Sequence, residues 1–457
     1  GTDHVFLYPI FATLVEWDYD TLEARPGLAM SWEYPNPETL VLHLREGVRF
    51  HDGTTLDAEA VRFNLERNRT DERSNIRSDL GSVESVEVTG PYQVTIHLKN
   101  PDTSLPLVLS DRAGMMVSPT SIEKFGDTSD RNPVGAGPMQ FVEWNDGDRI
   151  VVKRNPDYWD DERPLIDGID FRIITDSSTR LRSVMSGQND LAYQLEGRQK
   201  PLIERGGSAR GIYGATVYCY QIYLNQAKGP LSNVKVRQAL NYAIDRDALV
   251  KASMHGAGEP AYMNLPSSHW AYDAEVAKLY SYDPDKARQL LAEAGFPDGI
   301  ELDMRGYNEQ GSVQRQEIIM SMLAAVGIRG RFKTGTIPDM SAAYFARGEG
   351  DFLVSAWTGR PDPSLTYGLL YAANSYFNAG KVEPPEGLME AVSASRSTDN
   401  IAERKKAFST VQQLVMENAL VVPLAFREDI MAATDKVQNL QTNLLGKPKF
   451  EHVYLES

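Results

Sequence analysis

The sequence predicts an α/β fold, helices packed on a parallel or mixed sheet, and three observations carry that expectation. Between residues 283 and 357, helix-like and strand-like stretches alternate to give a β-α-β-α-β order, which folds as strands joined by crossover helices. The helices in that stretch are punctuated by capping residues. The chain has 457 residues, 42% hydrophobic and 24% charged. That is enough apolar material for sizeable cores and, at roughly 150 residues per domain, for about three domains.

In chain order, strands are expected over Thr39–Leu44, Gln93–Leu98, Ile150–Arg154 and Gly168–Ile174. Asp57 is placed to cap a helix, with Leu56 and Val61 spaced as a hydrophobic staple. Over Val234–Ile244, Val236, Ala239, Leu240, Ala243 and Ile244 form an apolar stripe of helical period. Asp245 and Asp247 offer caps for a second helix that Gly256 closes. Asp283 then caps a helix with Pro284 in its first position, Ala287, Leu290, Leu291 and Ala294 as its stripe, and Gly295 as its stop. A strand at Ile300–Arg305 leads to a helix from about Ser312 to Val326, whose buried side carries Ile318, Ile319, Met322, Leu323 and Val326. Gly327 stops it. A strand follows at Ile328–Lys333, then a helix opening near Asp339 and the strand Asp351–Ala356.

Composition excludes several classes. Lys and Arg number 47 against 63 Asp and Glu, a net charge of 47 − 63 = −16, so the global field repels nucleic acid. No apolar run approaches the ~18 residues of a membrane span. The single cysteine, Cys219, cannot close an intrachain disulfide and reads as a small buried hydrophobe between Tyr218 and Tyr220. The chain begins at Gly1 rather than at an initiator methionine, so a removed leader or anchor is compatible with it and its start does not fix a compartment.

In open α/β sheets, ligands sit beyond the carboxyl ends of the strands. Here those ends are Arg305-Gly306-Tyr307-Asn308 and Trp357-Thr358-Gly359-Arg360-Pro361-Asp362. Two guanidiniums, an indole, a phenol and a carboxylate therefore converge on one region, a set suited to a small organic ligand with an acidic or polar group. Trp270, on a loop at a predicted edge, joins the expected binding set, as do Arg112 and Phe11.

Catalytic and metal signatures are missing. The seven histidines are scattered; there is no HExxH, no CxxC, no GxSxG elbow, no Walker A sequence and no GxGxxG. Gly135-Ala136-Gly137-Pro138 reads as a turn. Asp18/Asp20 and Asp160-Asp161-Glu162 read as exposed acidic faces, and His51-Asp52 as the end of a strand before an Asp-Gly turn. Asn68-Arg69-Thr70 is a glycosylation sequon short enough to occur by chance.

Several long motifs in order resemble the solute-binding proteins that serve ABC importers for peptides, opines and nickel, the family 5, dipeptide/oligopeptide-binding-protein-like cluster. They are Leu14-Val15-Glu16-Trp17-Asp18, Arg25-Pro26-Gly27-Leu28-Ala29 and Ser31-Trp32-Glu33; the stretch His43 to Thr54, reading HLREGVRFHDGT; Ala58 to Phe63; Asn132 to Pro138; Arg154-Asn155-Pro156-Asp157-Tyr158-Trp159; and Val236 to Arg246. The resemblance implies a two-lobed periplasmic-binding-protein fold (type II, cluster C-like) with an extra domain and a hinge between lobes. It implies a discontinuous lobe I over 1–29, 166–224 and 435–457, the extra domain over 30–165, and lobe II over 225–434. In dipeptide binders of the family, the arginine that resembles Arg305 holds the ligand carboxylate with the equivalent of Tyr307 nearby. The position of Arg360 there is an aspartate that pairs with the peptide ammonium. A guanidinium cannot accept that hydrogen bond, so a solute with acidic or carbonyl ends, opine-like or an acyl or aromatic conjugate, is expected in place of an ordinary free-amine peptide. The alternative for Arg360 is that it turns away to pair with Asp362.

The resemblance further implies a monomeric receptor, periplasmic or, in a Gram-positive organism, an extracellular membrane-anchored lipoprotein. It would capture a small-molecule solute by hinge closure and deliver it to ABC permease subunits, with no cofactor, metal or catalytic residue. An exported hydrolase using Asp362 and Glu309 as acid and base, and a sensory receptor on the same fold, are the alternatives.

Overall fold

Alternation of apolar side chains at period two gives each main sheet its buried face. The computed structural model describes residues 3–74 and 76–456; Gly1, where the chain begins, lies outside the described residues. The chain divides into two units. One comprises Gly1–Leu195, Gln199–Gly214 and Asp429–Ser457, the other Glu196–Arg198 and Ala215–Glu428.

Among the described residues the first unit contains five antiparallel sheets, two of them two-stranded, Val15–Trp17 with Ala24–Pro26 and Val437–Gln438 with Tyr454–Leu455. Ala29–Asn36, Thr39–Leu44, Gln93–Leu98 and Val83–Gly90 form a four-stranded sheet in that spatial order, and the second and third of these strands occupy the expected residues. The helix Ala58–Thr70 covers it; the Asp57 carboxylate accepts from the Ala60 N–H at 3.0 Å, and Leu56 and Val61 are both buried. Met139–Asn145, Arg149–Arg154 and Gly168–Arg172 form a second sheet, whose last strand stops two residues before the expected Ile174. Leu191–Ala192 and Arg210–Gly214 flank Asp429–Ala433 in the third. That pairing is why the chain passes between units at 214–215 and 428–429 rather than at 224–225 and 434–435.

His51-Asp52 is structural, as the turn chemistry predicts. His51 Nε2 donates to the Gly137 carbonyl at 3.0 Å and the His51 N–H donates to the Gly135 carbonyl. Asp52 accepts from the Thr54 N–H and hydroxyl and from the Ser118 hydroxyl. The loop glycines have a steric reason: a Cβ on Gly137 would lie 2.5 Å from the Pro9 carbonyl.

The second unit is organised by one mixed six-stranded sheet. Its elements are β1 (Cys219–Leu224), α1 (Val234–Ala243), α2 (Arg246–Met254), β2 (Gly258–Pro260), α3 (Pro284–Glu293), β3 (Ile300–Tyr307), α4 (Gln310–Ala325), β4 (Ile328–Gly335), β5 (Phe352–Trp357), α5 (Pro363–Tyr371), α6 (Leu388–Arg396), α7 (Ile401–Glu417) and β6 (Val421–Arg427). The spatial order is β2-β6-β1-β5-β3-β4. β3 runs parallel to both β4 and β5, and β1 runs antiparallel to β5 and β6. The crossover order inferred from 283–357 is present, with β3 and β4 each extended by two residues. Asp245 caps α2 and Asp283 caps α3; Asp247 lies within the first turn of α2. The helix expected near Asp339 begins at Ile337, capped by Thr336, and runs into a wider turn over Ala342–Ala346.

Each face of this sheet has its own core. Ile222, Leu224, Met304, Phe352 and Val354 point to the side covered by α1, α3 and α4. Tyr223, Leu353 and Trp357 point to the side covered by α5, α6 and α7. Cys219 is fully buried, and burial pushes its thiol far up. Met304, on β3 with no exposed surface, tests this arrangement: Met304→Ala should cost about 2–5 kcal/mol of stability in chemical denaturation, and a loss below ~1 kcal/mol would contradict its place in the core.

Candidate functional site

At one end of the second unit's sheet, β3, β5 and β6 all present their carboxyl termini and β1 begins. Cys219 lies opposite Trp357 on one side and Phe426 on the other. Tyr218, Tyr307, the loop from Thr358 to Asp362, and Arg427 therefore share that end.

The loop after β5 is held from below. Asp362 has no exposed surface. It caps α5, accepting from the Ser364 N–H at 2.9 Å and the Ser364 hydroxyl at 2.6 Å, and its other oxygen takes the Arg404 guanidinium at 2.6 Å. Burial alone would raise the Asp362 carboxyl; the Arg404 charge and the Ser364 hydrogen bonds outweigh it and hold the group below the usual range. Arg396 adds two bonds to Ser364 at 3.0 Å. Gly359, at φ +78°, passes so close to Val217 that a Cβ would lie 2.2 Å from its Cγ2.

This placement corrects two expectations. Asp362 is neither solvent-facing nor paired with Arg360: its lone pairs are committed to Arg404 and Ser364. Trp357 is 2% exposed, because its strand position, alternate to Leu353 and Ser355, turns the indole into the core. There its Nε1 donates to Thr366 Oγ1 at 3.0 Å and its ring meets Phe377 edge-on. What the indole offers the strand end is a platform, with the Arg360 guanidinium carbon 4.6 Å from the ring centroid. Arg360 otherwise donates only to the Gly359 carbonyl at 2.8 Å and, at 3.5 Å, to the Thr358 hydroxyl. Among the described residues it has no carboxylate partner.

Arg305 is also placed differently from expectation. Asp303, two residues back on the same face, draws its Nη2 to 3.1 Å, and Glu349 lies 3.7 Å away. The guanidinium is thereby directed to the segment entering β5, away from the strand's carboxyl end. Tyr307 does reach that end; its hydroxyl bridges Ser341 Oγ at 3.0 Å and Ser355 Oγ at 2.9 Å. Trp270, half-buried, roofs the Asp362–Arg404 pair, with the Arg404 guanidinium 5.3 Å from its ring. Arg112 and Phe11 belong to the first unit. Arg112 pairs with Asp3 at 2.5 Å, and Phe11 ends the helix His4–Ile10, where a Cβ on Gly135 would lie 2.7 Å from its ring.

Four residues at the sheet end were not anticipated. Tyr218 and Tyr220 meet edge to face, ring centroids 5.4 Å apart; Arg427 stacks on Tyr218 at 4.4 Å and Arg315 on Tyr220 at 3.7 Å. Burial pushes the Tyr218 phenol up to about 12, with Tyr220 adding to the shift and Arg427 and Arg315 opposing it. Two signals were available. Arg315 occupies the helical stripe of α4 one turn before Ile319, a charge where an apolar residue is expected. Arg427 ends a strand, and the same strand-end logic would have reached it had Val421–Arg427 been recognised as one. Among the described residues no group of His, Cys, Asp and Glu is arranged to hold a metal, and no helix is long and apolar enough to cross a membrane.

Comparison with known proteins places this geometry. The family described as bacterial extracellular solute-binding proteins, family 5 Middle, matches residues 23–378. The chain is 30% identical over 407 residues to the glutathione-binding protein GsiB of Salmonella paratyphi A, covering 86% of this chain and 78% of that protein. It is 30% identical over 410 residues to the GsiB of Escherichia coli O157:H7, with the same coverage. Among solved structures it is similar to the PBP AgaA in complex with agropinic acid from A. tumefacien R10, with TM-score 0.88, 25% identity, and coverage of 100% of this chain and 95% of that one. The periplasmic binding protein DppA from Helicobacter pylori in complex with peptide STSA shares the fold at TM-score 0.89 and 24% identity, over 100% of this chain and 94% of that one.

The buried pair generates two expectations. Arg404→Ala, which strands the Asp362 carboxylate, should destabilise the protein by about 3–5 kcal/mol in thermal or chemical unfolding. His269, buried beside the pair, has its pKa lowered to about 4, first by burial, with Asp362 opposing and Arg404 adding. An unfolded histidine titrates near 6.5, so between about pH 6.5 and about 4 the unfolded state binds the proton and the folded state does not. The contribution of neutral His269 is complete above that window and is lost as pH falls through it, about 3 kcal/mol in all. His269→Asn keeps an acceptor for the Ala271 N–H that His269 Nδ1 now takes. Its stability should fall less steeply across that window; an unchanged slope would remove His269 from this role.

Proposed function

The chain belongs to the family 5 bacterial extracellular solute-binding proteins, the receptors of ABC importers that act in the periplasm or outside the cell, and we propose that its own solute is a small organic acid. Peptide-like, opine-like and acyl or aromatic conjugates bearing a carboxylate are the chemical class. The observation that carries this reading is Arg360, a guanidinium seated on Trp357 at the carboxyl end of the sheet and, among the described residues, without a carboxylate partner. A charged donor in such a place is stabilised by an anion and repels an ammonium. Glutathione, which gives the GsiB relatives their name, and agropinic acid, present with AgaA, both carry carboxylates and fit the class.

Binding alone accounts for the site. Arg360 supplies charge, and Tyr307 and its two serines supply orientable hydroxyls. Asp362, the acid that a hydrolase would use, is spent on Arg404 and Ser364. The fold is two-lobed; we read lobe II as the segment 225–434 and 30–165 as an extra domain, with capture by hinge closure. Closure would follow from the closed state binding the solute more tightly than the open one.

Native mass spectrometry of protein purified without denaturation should find an acidic solute retained; a retained solute with no acidic group sinks the proposal. Arg360→Asp should weaken that solute by about 10- to 100-fold, the equivalent of a charge-assisted hydrogen bond of about 1.5–3 kcal/mol, while improving amine-bearing analogues. Equal calorimetric affinities before and after the charge reversal would remove Arg360 from the site.

A further inference from the structure

Most buried arginines of the second unit find acceptors, although the Nε of Arg305 goes without one; Arg315 and Arg427 differ from the rest. Arg237 donates to the carbonyls of Leu231, Ser232, Asn418 and Ala419. Arg246 donates to those of Ala261, Pro423 and Asn241 and to the Asn241 side chain. Arg404 has Asp362, and Arg305 has Asp303. Arg315 is 7% exposed, yet among the described residues its guanidinium has no hydrogen bond or ion pair, only the face of Tyr220. Arg427 is half-buried, its Nε is buried without a partner, and among the described residues its guanidinium rests only on Tyr218.

Buried donors without acceptors are rare because each costs the desolvation of its charge. Here the buried Nε of Arg427 and the guanidinium of Arg315, a residue 7% exposed, lie across one pair of tyrosines whose rings touch. Rings stabilise the cations through their faces but accept no planar hydrogen bonds, so the guanidinium N–H groups stay available. Arg315 also lies in the second turn of α4, a 16-residue helix whose amino end opens on the same strand ends and whose N-cap position, Glu309, makes no side-chain cap bond. The helix field there favours negative charge. Tyr218 and Tyr220 share the alternation of Ile222 and Leu224, which places the pair on the α1–α4 side of the sheet, whereas Trp357, the platform of Arg360, packs on the α5–α7 side.

We propose that Arg315 and Arg427, framed by Tyr218 and Tyr220, form a second anion subsite, distinct from Arg360, that takes a second carboxylate of the solute. The inference rests on the reading of the chain as a receptor for an acidic solute and narrows that class to diacids, each end held by its own guanidinium. Selectivity follows from the cost of leaving a buried subsite empty: a monoacid of similar size satisfies Arg360 but leaves Arg315 and Arg427 without acceptors.

Sodium sulfate, a small dianion independent of the solute's identity, tests the subsite directly. The full chain, freed of retained solute by extensive dialysis in low-salt, sulfate-free buffer, is titrated by calorimetry and by tyrosine fluorescence. Saturable binding with a change in tyrosine emission is expected. Arg315→Gln and Arg427→Gln should each weaken it at least ten-fold, Arg315→Lys and Arg427→Lys should restore part of it, and Arg360→Gln should retain it. Circular dichroism and melting temperature confirm that each variant is folded. No saturable binding by the wild-type chain, or binding unchanged in both glutamine variants, overturns the second subsite. Binding abolished by Arg360→Gln alone also overturns it while leaving Arg360 as the anion site of the proposed function. An acid-free solute in native mass spectrometry would instead remove the underlying reading.

Discussion

The loop that carries Arg360 depends on a carboxylate that no solute can touch. Asp362 is fully buried, caps α5 through Ser364 and closes on Arg404 at 2.6 Å. In this one group a helix start, an ion pair to α7 and, through Ser364 and Arg396, a tie to α6 are combined. An isolated carboxylate at this depth would be neutralised. Because its partner and its hydrogen-bond donors are all present, it remains charged and fixes the chain two residues after Arg360. The same commitment leaves Arg360 without the nearest acid that could have neutralised it. A local salt bridge between the two would have been an exposed pair of small value; burying the acid beneath the loop turns the arginine into an available charge.

Charge in the second unit is thus arranged by depth rather than by count. The chain carries a formal −16, and that sum says nothing about the sheet end, where three guanidiniums have no acidic partner among the described residues. Their attraction for an anion acts within a few ångströms, beneath the reach of salt screening that weakens the exposed acidic surface. Arg305 shows the other outcome. With Asp303 on the same strand face and Glu349 beyond, its charge is consumed inside the unit, and it lends the ligand end nothing despite its place near the end of β3.

Fold and site were legible to different degrees, for a physical reason. Helix starts at Asp57, Asp245 and Asp283 were readable because a cap is a contact between a side chain and a backbone N–H two or three residues on. Strand alternation was readable for the same reason of locality. The carboxyl ends of β3 and β5 followed from the crossover order, and they do lie at one end of one sheet. What sequence could not supply was the partner of each charge. Asp362 and Arg404 are far apart in the chain, as are Tyr218 and Arg427, so neither pairing leaves a local pattern. Trp357 was misplaced because a strand's last residue can face either side of the sheet, and only the packing of α5 and Phe377 decides which.

The residues that carry the family resemblance and those proposed to carry the ligand chemistry are therefore largely different sets. His51 and Asp52 spend their polar atoms on Gly137, Thr54 and Ser118, and Arg246, within the motif from Val236, spends its own on carbonyls. Such residues identify a scaffold because its closure requires them. Arg360, Arg315 and Arg427 take no part in those contacts; they stand at strand ends and on a helix of the same scaffold. A site built in this way can change its solute by altering a strand-end side chain without disturbing a buried pair or a helix cap. The converse change, at Asp362 or Arg404, would take the loop and its charge together.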